Sequence, residues 1–206
     1  MLVLCSNGLS SEKLMSCVRN IIIGHKTAAL VVTADNEYKA KNYHVDRCVK
    51  ELTKLNLNVD IFDLDKQSAE LLLNYDVVEF IGGNPFYLLR SIKENHATDI
   101  LKDLANKRIL IGWSAAAFVF SPTLELVNSF SPEMNFIGLT DLNALALTDI
   151  QVLPHYSRLN TKLNTNFENI EAICSAYEER HNIKVIRIND GEGVIINENE
   201  TVVCLT

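Results

Sequence analysis

Short apolar runs recur through the first half of the chain, at residues 2–5, 27–33, 59–62, 77–81 and 108–112, with stretches of helical spacing between them. That alternation is the strongest constraint on the fold. A strand with one wet face alternates apolar and polar side chains, whereas a strand covered on both faces is apolar almost throughout. The runs TAALVVT (27–33) and RILIG (108–112) are of the second kind. The intervening segments carry their apolar residues on one helical face: Val45, Val49, Leu52 and Leu55 in one, Phe86, Leu89 and Ile92 in another. The pattern predicts an α/β fold, a mostly parallel sheet with helices on both faces and right-handed crossovers.

The second half is less regular. Residues 145–147 and 150–153 read as strand or extended segments leading to Pro154-His155, and residues 166–181 read as a helix with Ile170, Ile173, Cys174 and Tyr177 inward. Three short strands follow, at 184–188, 193–196 and 201–205, separated by the turn-rich Asn189-Asp190-Gly191 and Asn197-Glu198-Asn199. That spacing predicts antiparallel hairpins at the C-terminal end. Residues 1–206 are expected to form one domain.

Composition narrows the function classes. The net charge of −7 and the absence of a basic patch with interleaved aromatics argue against a nucleic-acid surface. Cys5, Cys17, Cys48, Cys174 and Cys204 are odd in number and widely spread, a pattern of reduced thiols rather than a disulfide framework. The first apolar run is too short for a signal peptide, and no stretch approaches the length of a membrane span. The expectation is a cytoplasmic protein with no membrane partner. Its oligomeric state stays open.

Three segments carry chemistry. In Gly112-Trp113-Ser114-Ala115-Ala116 a buried strand runs into small residues and then a helix, the context of a nucleophile elbow after a central strand. The same serine would also serve as an ordinary helix N-cap. Gly82-Gly83-Asn84 follows another strand, so its end should lie on the same sheet edge as Ser114, where open α/β sheets bind ligands. There, too, Asn84 and Pro85 equally suit a plain helix start. His155, after an apolar run and Pro154, is positioned as a general base. His25, His44, His96 and His181 have no partner at metal-ligand spacing, so no metal is expected.

The strings IGGNPFYLL (81–89), GWSAAA (112–117), SPT (121–123) and LPHY (153–156), taken in order, resemble the dipeptidase E and cyanophycinase family of serine peptidases. That family's architecture is shared with class I glutamine amidotransferases, but those use a cysteine where this chain has Ser114. The resemblance implies a serine nucleophile at Ser114 and a histidine base at His155. It implies an oxyanion hole from backbone N–H groups of Ala115 and the Gly82-Gly83 turn, with Asn84 beside it. Small peptides, with aspartate at or next to the cleaved bond, are the implied substrates, and neither metal nor organic cofactor is used. Three positions depart from the family pattern. Ala116 stands where the family has glycine. The triad acid is expected between the serine and the histidine, where Glu133 is the nearest carboxylate and Glu125 the second choice. The family's segment for holding the substrate carboxylate is missing after His155, with Arg158 as a candidate substitute. These departures carry a second expectation, a family member that binds a ligand or partner without turnover.

Overall fold

The computed structural model describes residues 1–163, 169–197 and 201–204. Its elements run β1 (Leu2–Cys5), α1 (Glu12–Ile21), β2 (Thr27–Val31), α2 (Val45–Lys54), β3 (Asn58–Phe62), β4 (Val77–Phe80), α3 (Pro85–Glu94), α4 (Thr98–Lys107), β5 (Ile109–Trp113), α5 (Ala115–Phe120), α6 (Glu125–Phe130), β6 (Gln151–Leu153), α7 (Tyr156–Leu163), α8 (Ile170–His181), β7 (Val185–Arg187), β8 (Gly193–Ile196) and β9 (Thr201–Cys204). Short 3₁₀ helices occupy Lys39–Lys41, Ala69–Asn74 and Pro132–Met134. The expected helix at 166–181 is α8 from Ile170 onward; residues 164–168 lie outside the described set.

Seven strands form one sheet in the order β3-β2-β4-β5-β1-β8-β9. The first five are parallel, while β8 runs antiparallel to β1 and β9 antiparallel to β8. The mostly parallel α/β fold read from the sequence is the fold observed. One detail differs: β7 does not join the C-terminal hairpin of β8 and β9 but pairs in parallel with β6 in a separate two-stranded sheet.

The strands read as apolar runs because each face of the large sheet has its own core. Leu2 and Leu4 of β1 point into one, with Phe80, Phe86 and Phe120. Val3 and Cys5 point into the other, with Leu14, Leu52 and Trp113. Successive strand residues face opposite ways, so this division follows from the pleat. Helix starts are chemically marked: the Ser11 side chain accepts from the Leu14 N–H at α1, and Asn84 from the Tyr87 N–H at α3.

One position breaks the apolar rule. Glu79 lies between Val77 and Ile81 on the face covered by α2 and is 0% exposed. Its carboxyl stands against the Trp113 indole and the Cys48 thiol but closes no well-formed hydrogen bond with either. Burial, and then the nearby charge of Glu51, push its pKa up to about 8. Glu51 is already matched: Arg47 Nη1 donates to its Oε1 at 2.6 Å and the Leu9 N–H to its Oε2 at 3.1 Å. With Glu79 protonated, the cluster holds one cation and one anion. Cys48, Glu51 and Glu79 bring one potential ligand atom each within 4.8 Å of one another, but Glu51 is bound to Arg47 rather than open.

Candidate active site

The parallel strands end together, and the chain turns sharply at those ends. After β1 comes Ser6, after β4 Gly82-Gly83, after β5 Ser114 and after β6 His155. The β6–β7 pairing sets Leu153 opposite Arg187, so the residues just beyond each strand, His155 and Asp190, emerge side by side.

Ser114 sits on a strained turn, with φ 53° and ψ −111°, between β5 and α5. A non-glycine residue at positive φ is unfavourable by about 1–3 kcal/mol and persists only where its surroundings hold it. Here the Ser114 N–H donates to the Cys5 carbonyl at 3.0 Å, tying the turn to β1. A side chain at Gly112 would bring its Cβ to 2.5 Å from the Phe120 ring, so this position of the elbow requires glycine. Ala116, by contrast, lies within α5 and is not among the residues at positive φ. Its methyl fits the buried helix without strain, and the replacement of glycine there leaves the elbow intact.

The imidazole of His155 bridges two groups. Its Nε2 is 3.0 Å from Ser114 Oγ, and its Nδ1 is 2.6 Å from Asp190 Oδ1. Ser114 and His155 are therefore brought together as expected from the sequence, but the expected carboxylates are not with them. Glu133 is exposed in the 3₁₀ turn Pro132–Met134, and Glu125 pairs with His181 and Arg180 on another part of the surface. The acid at the imidazole is Asp190, which follows the histidine in the chain. In the sequence it appeared only as the middle of an Asn-Asp-Gly turn. The signal that distinguishes it is its place just past a strand that pairs with the strand leading to His155.

Electrostatics suit proton transfer. Burial lowers the His155 pKa, with the Asp190 hydrogen bond and charge working against that shift. Burial alone would raise the Asp190 pKa, yet hydrogen bonds from His155 and Ser6 and the charges of His155 and Arg158 hold it below the usual carboxylate range. At neutral pH the pair is a neutral imidazole beside an ionised carboxylate. Arg158 closes the arrangement by donating from Nη2 to Asp190 Oδ2.

Ser114 and His155 open into a cavity of about 320 Å³, lined also by Asn7, Asn42, His44 and Arg158, with Gly82 and Gly83 on one wall. No carboxylate lines it among the described residues. Asn84 does not line it: its Oδ1 caps α3 and its Nδ2 donates to the Met134 carbonyl at 2.7 Å, so its side chain is committed to the loop rather than to a ligand. Gly83 has φ +152°, and a Cβ there would stand 2.3 Å from the Ala34 carbonyl oxygen. Gly83→Ala is expected to lower stability by about 1–3 kcal/mol, read as a reduced urea midpoint, because backbone must move to admit the methyl.

Comparison with known proteins gives a consistent result. The family model described as peptidase family S51 matches residues 2–204. An uncharacterized peptidase of Listeria monocytogenes is 29% identical over 183 residues, covering 86% of this chain and 85% of that protein. A peptidase E of Salmonella arizonae is 26% identical over 147 residues, covering 71% and 62%. A crystal structure from Listeria monocytogenes EGD-e, provisionally assigned as a peptidase E, superposes with a TM-score of 0.77 at 25% identity, covering 100% of this chain and 98% of that one.

Proposed function

The chain belongs to peptidase family S51, and from that premise we propose that it hydrolyses short peptides through an acyl-enzyme on Ser114, with His155 as general base and Asp190 as the orienting acid. The observation that carries this reading is the unbroken relay from Ser114 Oγ through His155 Nε2 and Nδ1 to Asp190 Oδ1, at 3.0 and 2.6 Å. With the Nδ1 proton held by Asp190, the lone pair of Nε2 faces the serine hydroxyl and takes its proton as Oγ attacks the scissile carbonyl. The imidazolium then gives that proton to the leaving amine. Water, deprotonated by the same nitrogen, releases the acid product and restores the serine.

The developing oxyanion would be held by backbone N–H groups at Ala115, the first residue of α5, and at the Gly82-Gly83 turn on the cavity wall. The cavity offers the Arg158 guanidinium and the side-chain amide of Asn7, and no anion among the described residues; the Asn42 amide is held by Asp35 and the His44 N–H. Such a lining favours a substrate carrying a carboxylate, which includes peptides with aspartate beside the cleaved bond. Helical Ala116 and a carboxylate at the imidazole both speak for turnover over binding alone. The five cysteines stand unpaired, and no helix among the described residues is long and apolar enough to cross a membrane. A reducing, cytoplasmic setting completes the reading.

The test is a fluorophosphonate probe together with a panel of Asp-X dipeptides. The native protein should be labelled and should release amino acids from at least one dipeptide. Ser114→Ala, folded by its melting curve, should do neither. Equal labelling of both proteins would reject Ser114 as nucleophile. Turnover should stay constant as pH falls to the ordinary imidazole range near 6.5 and decline only below it, because burial lowers the His155 pKa.

A further inference from the structure

We infer that Ser6, at the end of β1, is a positioning residue of this site, fixing the backbone of His155 and the carboxylate of Asp190 through one buried hydroxyl. This rests on the reading of Ser114, His155 and Asp190 as one catalytic unit. The Ser6 Oγ donates to Asp190 Oδ1 at 2.9 Å, accepts from the His155 backbone N–H at 2.9 Å and lies 3.3 Å from His155 Nδ1. The residue is 0% exposed, so water does not stand in for these contacts. Its own N–H donates to the Glu192 carbonyl at 3.1 Å, which anchors it to the loop carrying Asp190.

Each contact addresses a specific weakness of the arrangement. His155 has φ 58°, a left-handed conformation uncommon for a non-glycine residue and one that turns its N–H away from ordinary strand pairing. Ser6 supplies the acceptor that this N–H would otherwise lack. A carboxylate hydrogen-bonded at one oxygen can still rotate about its Cβ–Cγ bond. Donation from Ser6 to the oxygen that faces the imidazole, with Arg158 on the other oxygen, removes that freedom. The hydroxyl also shares the negative charge of Asp190 and so limits how far that charge raises the basicity of His155.

Ser6 touches neither a reacting atom nor the cavity, so its removal should act on turnover and on pH dependence more than on binding. Ser6→Ala is expected to lower kcat on the order of 10- to 100-fold with KM within about threefold, since one or two buried hydrogen bonds to the catalytic pair are lost. The acid limb of the kcat/KM profile should move to higher pH, because Asp190, less shared, makes His155 more basic. Ser6→Thr, which keeps the hydroxyl, should recover part of kcat and the native pH limb. Should Ser6→Ala not fold, Ser6→Cys, similar in size but a weak donor, carries the same prediction. Unchanged kcat and pH limb in a folded Ser6→Ala would overturn the inference.

Proton NMR of the free protein separates this inference from the peptidase reading itself. If the native protein labels with no probe and cleaves no peptide, the peptidase reading fails. The low-field resonance of the His155 Nδ1 proton still reports on Ser6. Its displacement or broadening in Ser6→Ala supports the positioning role, and an identical resonance rejects it.

Discussion

Asp190→Asn is expected to lower kcat about 10⁴-fold, the scale on which loss of the acid acts in a well-characterised Ser-His-Asp triad. Glu133→Gln should leave it unchanged. The aspartate accepts from His155 Nδ1 and so keeps the imidazole in the tautomer whose Nε2 is free to act as base. An asparagine amide can present its NH₂ to Nδ1 instead. The ring proton then moves to Nε2 and points at Ser114 Oγ, where it blocks proton abstraction. The imidazolium formed during attack also loses its counter-charge. Arg158, now without its partner, is more than half exposed and stays solvated, so the fold should survive. Steady-state kinetics on a cleaved dipeptide, or the rate of probe labelling, reads the effect. Near-native rates in Asp190→Asn, or a comparable fall in Glu133→Gln, would return the acid to the segment between the serine and the histidine.

Glu79→Gln should stabilise the protein by several kcal/mol at pH 8 and by little at pH 5. The sign follows from linkage. Burial raises the folded-state pKa of Glu79 from 4.5 to about 8. Below the unfolded value both states carry the proton and the group has no effect. Between the two values the unfolded chain ionises while the folded one does not, so stability falls by about 1.4 kcal/mol per pH unit. The loss is complete once pH passes the folded value. A glutamine occupies the same buried space, is neutral in both states and removes that slope. Urea unfolding of native and variant protein at pH 5, 6.5 and 8 measures the difference. Parallel pH dependences would show that Glu79 is ionised in the fold, matched by Arg47 more strongly than its burial allows.

The parts of this molecule legible in the sequence are those written in consecutive residues. Sheet strands buried on both faces must be apolar at nearly every position, and β2 and β5 announce themselves in that way. The elbow is legible because Gly112, Ser114 and the alanines after it answer a local steric demand. The carboxylate beside the imidazole is not local. Asp190 resembles any aspartate in an Asn-Asp-Gly turn, and only the parallel pairing of β6 with β7 sets it beside His155. Glu133 answers only to the position after the serine that the family resemblance implies for the acid, and spacing along the chain says little about which strand ends meet. Asn84 failed for another reason: one side chain served two readings, helix cap and ligand contact, and the cap has the hydrogen bonds. Ser6 was hidden likewise, since Ser-Asn-Gly after a strand is what a bare turn looks like.

The order in which these groups occur carries a consequence for biosynthesis. Ser6 leaves the ribosome long before Asp190, and β1 acquires its β8 neighbour only after Asp190 has been made. A nascent polypeptide that already displays Ser114 has no oriented imidazole to activate it. The relay from serine to carboxylate is therefore assembled only late in translation, once β8 and the turn carrying Asp190 have joined β1.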